Sequence, residues 1–283
     1  MATYPRKGMQ RILAGSYNPE LRAQLRNQDG EHTAATGTPT VTCTITRADG
    51  TTVGSAGRPA AIGSAGQLTA SLTTAEAATL DVLSVAWSLD GVVRTTSHHR
   101  IVGGFLFAIS EVTALGGLAS YDNATLLQFR DATIDMVELW TGVSWNPAYD
   151  LEQFQGYGRC THASTFRPLR TIRSLSLDGT TQSVSDLKVN PESGLITSLS
   201  ALCGWTILGV EHGFDEPPDD LRNAAIQACK FALLQSKSAL GQRVRSISDE
   251  QGTRTFSFAG KNHPTGIDDI DSVIMSHDMR DPY

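Results

Sequence analysis

The spacing of apolar residues changes its period at Gly103-Gly104, and that change constrains the fold more than any other feature of the chain. Before it, the period is two. Leu21, Ala23 and Leu25 alternate with Arg22, Gln24 and Arg26, and Val41, Cys43 and Ile45 alternate with threonines. Leu68, Ala70 and Leu72 make a third run, and Leu83, Val85, Trp87 and Leu89 a fourth. Successive residues of a strand point to opposite faces, so each run predicts a strand with one face buried. Asp29-Gly30, Asp49-Gly50 and Asp90-Gly91 stand where runs end, and Asp-Gly readily takes the positive φ angles of a type I′ hairpin turn. Residues 15–103 therefore predict a β-sandwich of immunoglobulin-like architecture with Trp87 inside, although the Cys…Trp…Cys spacing of antibody domains is missing. Residues 1–14 carry Arg6, Lys7 and Arg11 with no acid, and predict an N-terminal arm.

Beyond residue 104 the period is near 3.6. A short helix is predicted over 105–115. A longer one starts at an Asp122 cap, carries Leu126, Phe129, Thr133, Met136 or Val137 and Trp140 at three- and four-residue spacing, and stops at Gly142. Strands are predicted over 166–177, 184–189, 195–199 and 205–210. Pro217-Pro218-Asp219-Asp220 then opens a helix with an apolar stripe of Leu221, Ala225, Ala228, Ala232 and Leu233. A basic segment with Arg243 and Arg245 follows, then a strand at Arg254, Phe256 and Phe258, and a terminal helix marked by Ile267, Ile270 and Ile274. The expected class is α+β: a front β-sandwich, then a helical domain over 104–283 with inserted strands and hairpins.

Apolar residues make up 40% of the chain and charged ones 18%, enough apolar content for a folded core. Residues 1–103 hold nine Lys/Arg against seven Asp/Glu, and residues 104–283 hold fourteen against twenty-two. That acidic balance argues against tight nucleic-acid binding. No apolar run is long enough to cross a membrane, and the start lacks the apolar core of a signal peptide, so synthesis in a cytosol is expected. Cys43, Cys160, Cys203 and Cys229 include no Cys-x-x-Cys pair and are expected to be buried and reduced.

No motif for catalysis, cofactor or metal emerges. A Gly-x-Ser-x-Gly nucleophile turn is missing, and Gly156-Tyr157-Gly158 lacks the third glycine of a dinucleotide fingerprint, so it predicts a loop. His98 and His99 are strand neighbours that point apart. Asp268, Asp269 and Asp271 lack the glycine and closing glutamate of an EF-hand and suit the first turn of a helix. Asp215, Glu216, Asp219 and Asp220 are expected at a helix start and solvated loop, with an acidic wall along a DNA channel as the sharper alternative.

From residue 104 onward the order of features resembles the head-to-tail connector (adaptor) family of long-tailed double-stranded DNA bacteriophages. The residues that carry the likeness are Leu139-Trp140-Thr141-Gly142-Val143-Ser144-Trp145, the run from Arg167 to Gly179, the turn from Pro191 to Ile196, the stretch from Gly209 to Leu221, and the segments at 253–258 and 264–271. The resemblance implies a structural virion protein without enzymatic activity, synthesised in the host bacterium's cytoplasm. It implies a dodecameric ring at the neck that docks on the portal and meets a stopper or tail-completion protein below. Double-stranded DNA would pass through such a ring without specific binding, and no membrane is involved. It makes Asp268, Asp269, Ile270, Ile274, Met279, Arg280 and Tyr283 the candidate portal contacts, and Asp215, Glu216, Asp219 and Asp220 the candidates for the channel or ring contacts. The front β domain is additional to the simplest members. Two rival readings remain: a tail or baseplate protein whose β domain binds a host surface ligand, and a hydrolase with no recognisable motif.

Overall fold

The computed structural model describes residues 9–25, 39–63, 66–236, 246–249, 252–255 and 264–280. The arm residues 1–8, the Asp29-Gly30 turn, Arg243, Arg245, Phe256, Phe258 and Tyr283 lie outside them. The chain forms two compact units, and neither is one continuous stretch. The first comprises Met1–Gly104 with Asn146–Asp215, and the second Phe105–Trp145 with Glu216–Tyr283.

In the first unit, β1 (Gln10–Leu13), β2 (Glu20–Gln24), β3 (Val41–Arg47), β4 (Arg58–Pro59), β5 (Ala61–Ile62), β6 (Gln67–Ser71), β7 (Asp81–Leu89) and β8 (Val92–Val102) build two sheets. Their orders are β1-β8-β7-β3-β4 and β2-β6-β5. Leu21, Leu68 and Leu72 from one sheet meet Ile45, Leu83, Val85 and Trp87 from the other in a single buried core. Alternation dictates this, because each predicted run turns its odd-numbered or even-numbered residues inward as a set. Asp90 and Gly91 both take positive φ, as the hairpin between β7 and β8 requires. Residues 10–13, expected in the arm, are instead strand β1, paired in parallel with β8 and burying Ile12 and Arg11. The open edge of β8 supplies the hydrogen-bond partners, and Ile12 joins the core.

The second part of this unit is β9 (Ala148–Ala163), β10 (Leu169–Leu177), β11 (Thr180–Gln182), β12 (Leu187–Asn190) and β13 (Leu195–His212). β13 is central, with β9 along one side and β10 and β12 on the other. The strands expected at 195–199 and 205–210 are one strand with an irregularity between them. β9 contradicts the loop expected around Gly156. Gly156 is there for space, since a Cβ on it would lie 2.5 Å from the Leu202 carbonyl oxygen, whereas Gly158 takes a φ of +74°. Tyr149 packs with Met9, Ala48 and Val82, and Gly103 N–H donates to the Pro147 carbonyl at 2.8 Å. The segment 146–215 thereby belongs with the sandwich, whereas the sequence placed it in a continuous helical domain.

The second unit packs α1 (Ile109–Ala114), α2 (Asn123–Thr141), α3 (Asp219–Ser236) and α4 (Asp268–Ser276), and carries the hairpin of β14 (Ser246–Asp249) and β15 (Gly252–Thr255). The Asp122 carboxylate accepts from Thr125 N–H at 2.6 Å, and Gly142 in the left-handed region ends α2. α1 is shorter than predicted, since it begins only after the buried Leu106 and Phe107. α3 contacts α1, α2 and α4, with Leu221, Ala225, Ala228, Cys229 and Leu233 buried along it.

Candidate assembly surfaces

Three sequence segments far apart in the chain meet around residues 277–280. The His277 ring lies edge-on to Trp145, with centroids 5.7 Å apart, and its Nε2 is 3.0 Å from an Asp220 carboxylate oxygen. That bond, followed by the one from Leu221 N–H, holds the Asp220 carboxyl below the usual aspartate range. Met279 N–H donates to the Thr141 carbonyl at 2.8 Å, and the Arg280 guanidinium sits 5.6 Å from the Trp140 ring centroid. Arg280 also pairs with Asp278, whose carboxyl is lowered by that hydrogen bond. Gly142 leaves room for this arrangement. Its φ is +78°, and a Cβ there would lie 2.4 Å from Arg280 Cγ.

The candidate portal residues divide on burial. Ile270 and Ile274 are buried, and α4 packs against α2 and α3, so both serve the unit's own core. Asp271 is buried as well: its carboxylate accepts from Thr265 N–H, Thr265 Oγ1 and Gly266 N–H, closing the loop that leads into α4. Asp268, Asp269 and Met279 are exposed. Among the acidic candidates Asp215, Glu216, Asp219 and Asp220 are all exposed, with Asp215 paired to Arg170 at 2.8 Å and Asp219 and Asp220 opening α3.

A further surface escaped the sequence reading. Along the β9–β13 ribbon Tyr157 is 83% exposed, Leu199 73% and Trp205 45%. Register pairs Tyr157 with Cys203 and Gln155 with Trp205, which makes the two aromatics diagonal neighbours on the ribbon. Alternation hid them, because the same spacing in a strand covered on both sides would be core. Exposed aromatics grouped like this mark contact sites.

The buried polar groups of the first unit are joined in ion pairs and hydrogen bonds. Arg100 Nη2 donates to both Asp150 carboxylate oxygens at 2.7 and 2.6 Å, and His212 Nε2 lies 2.9 Å from Asp150 Oδ2. Burial would raise the Glu152 carboxyl. The His162 ring 3.5 Å away and hydrogen bonds from Ser164 Oγ and Thr165 N–H outweigh it and hold the carboxyl below the usual glutamate range. His99 is buried and His98 half-buried, on opposite faces of β8. Among the described residues no group of three or more His, Cys, Asp or Glu is placed to hold a metal ion, and no helix is long and apolar enough to cross a membrane. Cys43 and Cys229 are buried as expected, but Cys160 and Cys203, on the β9–β13 ribbon, are exposed.

No protein-family model and no curated protein matches the sequence. Among solved structures the chain is similar to a chain in the neck of an empty gene transfer agent (GTA) particle computed with C6 symmetry. Identity there is 16%, over 48% of this chain and 81% of that one, with a TM-score of 0.40. It is also similar to a chain in the virion of a native GTA particle, at 16% identity over 52% and 84%, with a TM-score of 0.41.

Proposed function

We propose that this chain is a structural virion protein of a tailed, phage-like particle. In this reading it is a head-to-tail adaptor whose copies close a dodecameric ring beneath the portal and continue the DNA channel toward the tail. The observation that carries the proposal is the convergence at residues 277–280. The Trp140–Trp145 loop and the start of α3 at Asp220 belong to two of the segments that resemble the connector family, and they build one contact cluster with residues 277–280, which follow the last such segment through α4.

The exposed Asp268, Asp269 and Met279 are the portal contacts in this reading, with Ile270 and Ile274 holding α4 in place beneath them. Tyr157 and Trp205 suit a contact between neighbouring copies, where one face of a subunit meets a different face of the next and the ring closes. Exposed Asp215, Glu216, Asp219 and Asp220 repel passing DNA and keep it mobile. The front sandwich, immunoglobulin-like in architecture, decorates the ring. The partner on the tail side is a stopper or tail-completion protein.

Co-sedimentation with portal particles tests the proposal. The chain should pellet with them, and the double substitution Asp268→Ala, Asp269→Ala should weaken that binding while circular dichroism stays unchanged. A chain that stays in the supernatant at every portal concentration would overturn it.

A further inference from the structure

The β9–β13 ribbon doubles back on itself, although both strands run on through the bend. Phe154 and His162 would be about 26 Å apart along an extended strand, yet their rings stack with centroids 3.6 Å apart. Glu152 likewise accepts from Ser164 Oγ at 2.6 Å. The bend falls where the register slips, between the Tyr157–Cys203 and Thr161–Thr197 pairs. Gly158 and Gly204 take φ +74° there, and the Leu202 carbonyl leaves no room for a Cβ on Gly156.

Inside the bend lies a cleft of about 410 Å³. The stacked Phe154 and His162 rings and Leu202 give it apolar surface, and Tyr157, 83% exposed, presents its ring at the mouth. Gln155, Arg159 and Thr161 complete the lining, and among the described residues their side chains have no hydrogen bond or ion pair. No carboxylate lines the cleft. Glu152, 3.5 Å from His162, is buried and already engaged by Ser164 and Thr165.

We propose that this cleft binds a sugar acid of the hexuronate class, as a free monosaccharide or as the terminal unit of an acidic glycan. The Arg159 guanidinium offers paired N–H donors that match a carboxylate. The Gln155 amide and the Thr161 hydroxyl both donate and accept, as sugar hydroxyls require. Tyr157 supplies a flat apolar face for the C–H side of the sugar ring. One cation matches one carboxylate, whereas a nucleoside phosphate would bring more negative charge than a single guanidinium meets. Small-molecule sites occupy about 300–1,000 Å³, and a volume at the small end suits a short saccharide better than a stretch of peptide. This inference goes beyond the assembly reading and does not depend on it. Tyr157 serves both, so a bound sugar and a neighbouring copy compete for that ring.

Ligand-observed NMR titration of the purified full chain tests the site. Glucuronate should bind saturably, and glucose, which lacks the carboxylate, about tenfold more weakly. Arg159→Gln should cost glucuronate the same factor with circular dichroism unchanged. Lys188→Gln, which removes an exposed cation outside the cleft lining, should cost nothing. Tyr157→Ala should weaken both sugars. An oligosaccharide ending in glucuronate that binds more tightly than the free sugar identifies a glycan as the source, and equal affinity identifies the monosaccharide. No saturable binding of glucuronate, equal binding of inorganic phosphate or of a glutamate-containing peptide, or undiminished binding by the Arg159→Gln chain would each overturn the proposal.

Discussion

His99 shows how much one side chain of this fold depends on its surroundings. Its ring is enclosed between the sheets, with Nε2 2.7 Å from Ser97 Oγ, which in turn accepts from Trp87 Nε1. Burial, with a smaller push from neighbouring His98, lowers its pKa from 6.5 to about 3. The unfolded chain takes up a proton near pH 6.5 and the folded one does so only near 3, so acid favours unfolding across that interval. Stability should be full above pH 6.5 and fall as pH drops toward 3, by roughly 1.4 kcal/mol per unit within the window. Urea denaturation from pH 7 to 4 checks this, with His99→Asn expected to show a visibly flatter pH dependence. An equally steep variant would show that other groups set the acid response. At this scale the sequence was informative about orientation: strand alternation separates His98 from His99 before any coordinates. It was uninformative about exposure, and for that reason it missed Tyr157 and Trp205 and misjudged Cys160 and Cys203.

Among the elements, those that obey a simple period were legible. Asp122 and Gly142 mark α2 to the residue at its start and end, and the Pro-Pro-Asp-Asp sequence marks the start of α3. β9 was not legible, because its buried Asp150 and Glu152 break the apolar alternation and its glycines imitate a loop. Those residues are tolerated because Arg100, His212, Ser164 and Thr165 meet the carboxylates inside. Likewise Ile12 alone could not announce β1, whose pairing depends on the open edge of β8. The end of α2 yields a sharp expectation. Gly142→Ala places a Cβ in the left-handed region and against Arg280, so it should destabilise the helical unit by about 1–2 kcal/mol. Hydrogen exchange should then rise at residues 277–280 more than in α3. Uniform exchange across the unit would mean that the chain end does not depend on that glycine.

For the molecule as a whole, the change of period at Gly103-Gly104 falls where the first stretch of the first unit ends. It could not reveal that the chain returns at Asn146, since re-entry depends on Tyr149 meeting Met9, Ala48 and Val82 across a large sequence separation. The ends of the excursion are close: Gly103 bonds Pro147, and a Cβ on Gly104 would come within 3.1 Å of Asn146 Oδ1. A chain joining 1–104 directly to 146–215 through two glycines should therefore unfold in one cooperative transition. Residues 105–283 alone should not, because the faces of Tyr149 and Asp150 would lose their partners. A cooperative 105–283 fragment together with a molten joined chain would contradict the division into these units.

The assembly account is tested most directly by electron micrographs of portal particles mixed with the purified chain. It predicts a ring of additional density on one end of each portal, continuous with the central channel. Portals left bare while the chain decorates host cell envelopes would contradict it and favour a host-binding tail protein.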